Sequence, residues 1–139
     1  MTIRNITVED YIGYTNLTKS HISEETYNDF INNVLGRLHI IMVIEKDKKI
    51  IGTGTLFIEK KMTYDGCSMG HIENILIDDD YRGQGFGEKL VYELLDIAKK
   101  RECYRVDLNC NNELERFYQK NGFHKKHICM NVYFKENFS

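Results

Sequence analysis

Three glycines fall within six residues at Arg82, Gly83, Gln84, Gly85, Phe86 and Gly87, directly before a strongly helical pattern. Glycine accepts φ > 0 and lets a backbone come close to a ligand. A helix start behind such a turn offers unpaired N–H groups and the positive end of the helix dipole. The chemistry this suits is the holding of a phosphate or pyrophosphate. Two common phosphate motifs do not fit. A P-loop closes on Gly-Lys-Ser/Thr, whereas Gly87 is followed by Glu88 and Lys89. A dinucleotide fingerprint places its third glycine where Glu88 stands. What fits is R-x-x-G-x-G from Arg82 to Gly87.

Other reactive residues carry less. Cysteines stand at 67, 103, 110 and 129 with no C-x-x-C, which predicts reduced, mostly buried thiols. His124 and His127 lie in a lysine-rich turn with no cysteine or carboxylate cluster, so no metal site is read there. Asp78, Asp79 and Asp80 are consecutive and cannot all face one ion from a regular element; they read as a solvated turn.

The elements that must position the loop follow from periodicity. Ile72-Glu73-Asn74-Ile75-Leu76-Ile77 is apolar and β-branched enough for a buried strand. From Gly87 on, Leu90, Val91, Leu94, Leu95 and Ala98 share one helical face that ends near Lys100. Upstream, Ile3 and Ile6 mark a short strand, and Thr7 caps a helix carrying Tyr11, Tyr14 and Leu17. Ser23 caps a second helix whose apolar stripe runs from Tyr27 through Phe30, Ile31, Val34 and Leu35 to Leu38. Strands are expected over 40–45, 50–61 and 68–77, with Gly52 and Gly54 marking a bulge or a close approach. Tyr64-Asp65-Gly66 turns the second of these into the third. A strand over 105–110, a helix over 113–121 stopped by Gly122, and a last strand over 128–134 complete the order β-α-α-β-β-β-α-β-α-β. Three antiparallel strands ahead of the glycine loop argue against a dinucleotide fold, where that loop follows the first strand.

At 139 residues and 42% apolar content, one globular domain spanning 1–139 is expected. A formal charge of −2 argues against nucleic acid as the main partner. The longest apolar run, 40–44, is too short to span a membrane, and the first residues carry no signal-peptide core. Cytoplasmic residence is the expectation.

R-x-x-G-x-G, the element order, and Asn111 ahead of Phe117-Tyr118 resemble the GNAT acyltransferase superfamily. More narrowly, GHIENILIDDDYRGQGFGEKL, CYRVDLNC and ERFYQKNGF are similar to the glucosamine 6-phosphate N-acetyltransferases, over roughly residues 2 to 134. The resemblance implies the mixed, mostly antiparallel GNAT α/β fold (α+β), with a central sheet, about four helices and strands splayed around Ile72–Ile77. It also implies transfer of acetyl from acetyl-CoA to the 2-amino group of glucosamine 6-phosphate, on the way to UDP-GlcNAc. The enzyme would be a homodimer with no metal.

Residue by residue, the resemblance assigns the pantetheine arm and thioester carbonyl to the strand bearing Glu73, Asn74, Ile75, Leu76 and Ile77. It assigns the pyrophosphate to the amides from Arg82 to Gly87, and further acetyl-CoA contacts to Asn111 and Tyr118. Tyr118 matches the tyrosine that serves the leaving thiolate. Acceptor contacts fall on Thr18, Lys61, Met62, Thr63, Tyr64, Glu73, Asn74, Asn109 and Tyr133.

The chemistry stands on its own terms. Attack of an amine on a thioester creates an oxyanion that needs a preplaced donor, which a backbone N–H supplies without titrating. The amine must also shed a proton. Asn109 stands where the family has an acid facing the amine, and Asn74 where it has aspartate. An amide oxygen orients an amine but is no base. Glu73 remains, as a base acting directly or through water, or as a strand carboxylate paired with a lysine. Tyr133 replaces an arginine that meets the sugar phosphate, and Tyr64 a histidine on the acceptor side. Lys61, Lys125 and Lys126 are the point charges that could compensate. Two other readings remain: a GNAT enzyme for another amine (amino sugar, polyamine or protein N-terminus), and a non-catalytic acyl-CoA-binding module.

Overall fold

The computed structural model describes residues 1–138. The chain runs β1 (Thr2–Asn5), α1 (Tyr11–Thr18), α2 (Glu24–Asn33), β2 (His39–Lys46), β3 (Lys49–Lys60), β4 (Ser68–Ile77), α3 (Phe86–Lys100), β5 (Cys103–Leu108) and α4 (Glu115–Lys120). It divides into two compact units, residues 1–108 and residues 109 onward.

In the first unit the five strands form one sheet in sequence order. The pairs β1–β2, β2–β3 and β3–β4 are antiparallel; β4–β5 is parallel, as a crossover through α3 requires. The alternation of the strands sends Leu56, Ile58 and Ile72 to a core shared with Leu90, Val91, Leu94 and Ala98 of α3, all at most 2% exposed. Each such leucine, isoleucine or valine contributes about 1.5–3 kcal/mol by leaving water. On the opposite sheet face, Ile6, Tyr27, Ile41, Val43 and Ile50 pack with Tyr11, Tyr14 and Phe30. The Tyr27 hydroxyl donates to the Thr7 carbonyl at 2.7 Å, which ties α2 to the end of β1.

Four expectations need correction. The second helix stops at Asn33 instead of reaching Leu38. Leu35 N–H already reaches back to the Phe30 carbonyl, Gly36 turns onto His39, and the Leu38 carbonyl accepts from Ile58 N–H as the chain enters the sheet. The fifth strand lies at Cys103–Leu108, two residues before the expected 105–110, because its register is set by Ser68–Ile72 of β4. Cys110 and Cys129 are exposed and Cys67 and Cys103 half-buried, so the thiols are not a core feature.

The expected strand at 128–134 is not formed, and residues 123–133 carry no assigned helix or strand. A strand exists only through ladder bonds to a neighbour. Here Ile128, Met130, Val132 and Phe134 keep a strand's alternation but remain 79–94% exposed.

Candidate active site

β4 is paired on both sides only for its first half. Its parallel ladder with β5 ends at Ile72 opposite Leu108, whereas β4 itself continues to Ile77 with β3 alone. The β5-side backbone from Glu73 to Ile77 is therefore an open edge, the kind of surface to which an extended ligand adds as a strand does. Within it the β3–β4 register slips. Thr55 faces Glu73 and Thr53 faces Leu76, so Asn74 and Ile75 both stand against Gly54. Asn74 takes φ 55°, a left-handed value that marks the bulge. A Cβ on Gly54 would sit 2.6 Å from Ile75 Cδ1, so the close approach read from the sequence is real.

The glycine turn follows. Gly83 and Gly85 have φ of 76° and 85°. Nothing lies within 4 Å of a Cβ built on either, so conformation and not crowding requires glycine there. Gly85 caps α3, and its carbonyl accepts the first helical bond, from Lys89 N–H at 3.1 Å. The amides of Phe86, Gly87 and Glu88 thus occupy the first turn, where helical partners are lacking. Phe86 is 8% exposed and packs edge-on against Tyr81, anchoring the helix start. Arg82 folds back on the turn: its Nε donates to the Ile77 carbonyl at 3.1 Å and its Nη2 meets Asp79 at 3.0 Å. Asp78 accepts from Asp80 N–H and pairs with Lys49 at 3.4 Å. That amide bond, with Lys49 and Arg82 behind it, holds the Asp78 carboxyl below the usual carboxylate range.

The acceptor-side candidates of this unit divide. The exposed Glu73 has no hydrogen bond or ion pair among the described residues, so the lysine-paired reading of it is not realised. Thr18 Oγ1 is engaged locally, donating to the Tyr14 carbonyl at 2.9 Å and lying 2.9 Å from Ser20 Oγ. Met62 is 99% exposed, and Tyr64 stacks on Tyr104 with centroids 4.6 Å apart. Thr63 precedes the turn that Tyr64 and Asp65 make at positive φ. Lys61 meets Glu59 at 3.2 Å.

A group absent from the sequence reading appears here. Glu59 also lies 2.9 Å from His71 Nε2. His71 and Lys61 hold the Glu59 carboxyl below its usual range, His71 first. His71 is two residues before Glu73 and faces the same side of β4. The signal available was the register of the 64–66 turn: once Lys60 pairs with Ser68, Phe57 must face His71 and Glu59 lies diagonally beside it.

In the second unit Tyr118 sits on α4, 7% exposed, edge-on to Phe117 and Phe123. Burial, with a smaller contribution from Cys110, pushes its phenol pKa up. Gly122, at φ 94°, ends the helix by donating to the Gln119 carbonyl. Asn109 is exposed at the start of this unit, and Asn111 caps the turn Asn112–Leu114, its carbonyl accepting from Leu114 N–H. Tyr133 is 55% exposed, and Lys125 meets Glu115 at 3.4 Å.

A strand edge opened by a bulge and running into a glycine-capped helix start is a fitting cradle for an acyl thioester with a pyrophosphate tail. Comparison with known proteins points the same way. The Acetyltransferase (GNAT) family matches residues 2–123. The glucosamine 6-phosphate N-acetyltransferase of Arabidopsis thaliana is 38% identical over 128 residues, 90% of this chain and 86% of that protein. A probable glucosamine 6-phosphate N-acetyltransferase 2 of Oryza sativa subsp. japonica is 40% identical over 104 residues, 72% of this chain and 63% of its own length, just under two thirds. The crystal structure of the Arabidopsis thaliana enzyme superposes with a TM-score of 0.91 at 33% identity, over 96% of this chain and 98% of that one. A Trypanosoma brucei acetyltransferase follows at 0.89 and 25% identity, over 96% and 99%.

Proposed function

The chain belongs to the GNAT acetyltransferase family, and on that premise we propose that it transfers the acetyl group of acetyl-CoA to the 2-amino group of glucosamine 6-phosphate. The observation that carries the donor half is the open edge of β4 from Glu73 to Ile77, leading into the left-handed glycines that cap α3. The acceptor half is supported by similarity to glucosamine 6-phosphate N-acetyltransferases along most of the chain.

The pantetheine arm lies along that edge and takes backbone bonds from it. The pyrophosphate takes the amides of residues 82–87. An N–H of the β4 edge meets the thioester oxygen as it becomes an oxyanion, with no proton to manage. The amine nitrogen attacks, the C–S bond breaks, and the thiolate leaves. Tyr118 donates a hydrogen bond to that sulfur. A phenol near 10 facing a thiol near 8.5 makes complete transfer uphill by about 2 kcal/mol. Burial of Tyr118 steepens this, so its work is stabilisation by hydrogen bonding. Asn109 and Asn74 orient the amine through their amide oxygens, and the unpaired Glu73 supplies the charge that holds an ammonium. Lys61 and Lys125 sit in ion pairs at 3.2 and 3.4 Å, which a phosphate can displace. Lys126 adds a further point charge for the sugar phosphate.

The same reading makes the protein a cytoplasmic homodimer on the route to UDP-GlcNAc. The uncovered alternation Ile128, Met130, Val132 and Phe134 supports the dimer, and free cysteines suit a reducing compartment.

The test is release of CoA thiol from acetyl-CoA with glucosamine 6-phosphate and with glucosamine. Turnover confined to the phosphorylated sugar is expected. Binding of CoA without turnover of either sugar would overturn the acceptor. Asn109 and Tyr133 favour one second reading, a GNAT enzyme for a different amine.

A further inference from the structure

We infer that His71, held by Glu59, is the proton acceptor for the substrate ammonium, so that a histidine–carboxylate pair replaces the acids missing at Asn74 and Asn109. The inference rests on the acetyl-transfer reading above and deepens it.

An ammonium cannot attack a thioester until it loses a proton, and the groups able to take one on this sheet face are few. Asparagine cannot. A solvated carboxylate ordinarily titrates well below neutrality, whereas an imidazole titrates beside it, where a general base works best. His71 is the imidazole in place. Its ring is half-buried at the end of a row that crosses the sheet from α2: Phe30 to His39 at 5.4 Å, His39 to Phe57 at 5.5 Å and Phe57 to His71 at 6.2 Å between centroids. That row fixes the ring plane.

Glu59 fixes its tautomer. An ionised carboxylate only accepts, so Nε2 carries the hydrogen toward Glu59 and Nδ1 keeps its lone pair. No other hydrogen bond engages His71 among the described residues. Glu73 lies two residues on along the same face of β4 and makes no direct bond to the ring among the described residues. In the proposed role one water sits between the two groups. Glu73 therefore binds the ammonium and the water, and the water passes the proton to Nδ1.

Charges around the ring agree with this. From β3 come Glu59 and, bound to it, Lys61. From β5 Asp107 stands opposite His71, itself paired with Arg105 at 3.0 Å. Glu73 lies on the same strand, and His39 lies beyond Phe57. Three carboxylates thus lie around an imidazolium; Glu59 and Asp107 are partly compensated by Lys61 and Arg105, and Glu73 is not. The protons balance. The ammonium sheds two on becoming an amide: one goes to His71 and then to solvent, the other leaves with the CoA thiol.

The experiment is kcat against pH at saturating acetyl-CoA and glucosamine 6-phosphate, for the wild type, His71→Gln and His71→Ala, with acetyl-CoA affinity measured in each. The wild type should lose kcat toward acid through one ionisation. His71→Gln should fall by about 10²-fold and lose that limb, with acetyl-CoA affinity unchanged. Added imidazole should restore part of the activity of His71→Ala. An active wild type whose acid limb survives in His71→Gln overturns this role and leaves the substrate reading standing. So does a variant uniformly slowed at every pH and deaf to imidazole. A wild type inert toward glucosamine 6-phosphate overturns the substrate reading, and this role with it.

Discussion

Tyr118 carries two jobs in one side chain, and a single atom separates them. Its ring packs between Phe117 and Phe123, and its hydroxyl is the hydrogen-bond donor proposed for the thiolate. Tyr118→Phe keeps the ring and removes the donor. Steady-state kinetics should show kcat down by about 10²-fold with KM for acetyl-CoA nearly unchanged, since the bond matters only as charge develops on sulfur. Thermal unfolding should not move by more than a degree or two. Arg4 poses the opposite case, a structural ion pair that sequence spacing did not reveal. Its guanidinium bonds both oxygens of the 7%-exposed Asp10, at 2.8 and 2.9 Å. Arg4, with the Thr7 amide, holds the Asp10 carboxyl below the usual carboxylate range. The sign follows. The folded state binds that proton less readily than the unfolded chain, so the stabilisation is present above about pH 4 and is lost as pH falls through the depressed folded value. Asp10→Asn should cost about 1–3 kcal/mol in urea unfolding at pH 7 and flatten the decline of stability below pH 4. An unchanged acid limb would remove Asp10 as its source.

At the scale of elements, Gly85 joins fold and function. Its φ of 85° costs an L-residue about 1–2 kcal/mol, and nothing above it would clash with a Cβ. Gly85→Ala should therefore fold with a modest stability loss, yet turn the first amides of α3 and weaken CoA binding by about tenfold or more. Isothermal titration with CoA against a urea melt separates the two effects; a variant that binds CoA normally would disconnect this turn from the pyrophosphate. This loop, β3, β4 and α3 were legible in sequence because glycine, alternation and helical periodicity are local signals. Gly54 was legible as a bulge or a close approach, and the structure has both there, but that Asn74 and Ile75 are the residues set against it was not, since this depends on the partner strand's register. Helix α2 was over-extended for a related reason: Leu38 keeps the apolar period, while its carbonyl is already committed to Ile58. The His71–Glu59 pair was missed because placing the turn at 64–66 does not by itself give the register that sets Phe57 opposite His71.

For the whole molecule, the segment from 128 to 134 is where one chain's account is incomplete. Ile128, Met130, Val132 and Phe134 follow a period of two, the alternation that suits a β-strand. Four such side chains left 79–94% exposed forgo several kcal/mol of burial. Sequence periodicity predicts a strand over 128–134, but none is formed, because no strand among the described residues supplies the partners of its ladder. In the proposed homodimer a second copy supplies those partners. Sedimentation of the wild type should then give twice the 16.4 kDa of one chain. Met130→Asp puts an unpaired charge on the apolar side of the strand and should shift the protein to monomer. Asn131→Asp adds the same charge one residue on, to the opposite side of a strand, and should leave the dimer intact. Equal disruption by both would mean that the segment is not paired as a strand, and a monomeric wild type would remove the dimer altogether. Tyr133, a proposed acceptor contact, lies inside this segment. If the dimer positions it, Met130→Asp should also raise KM for glucosamine 6-phosphate by about tenfold while CoA affinity holds, because the glycine turn and β4 edge belong to residues 1–108 alone.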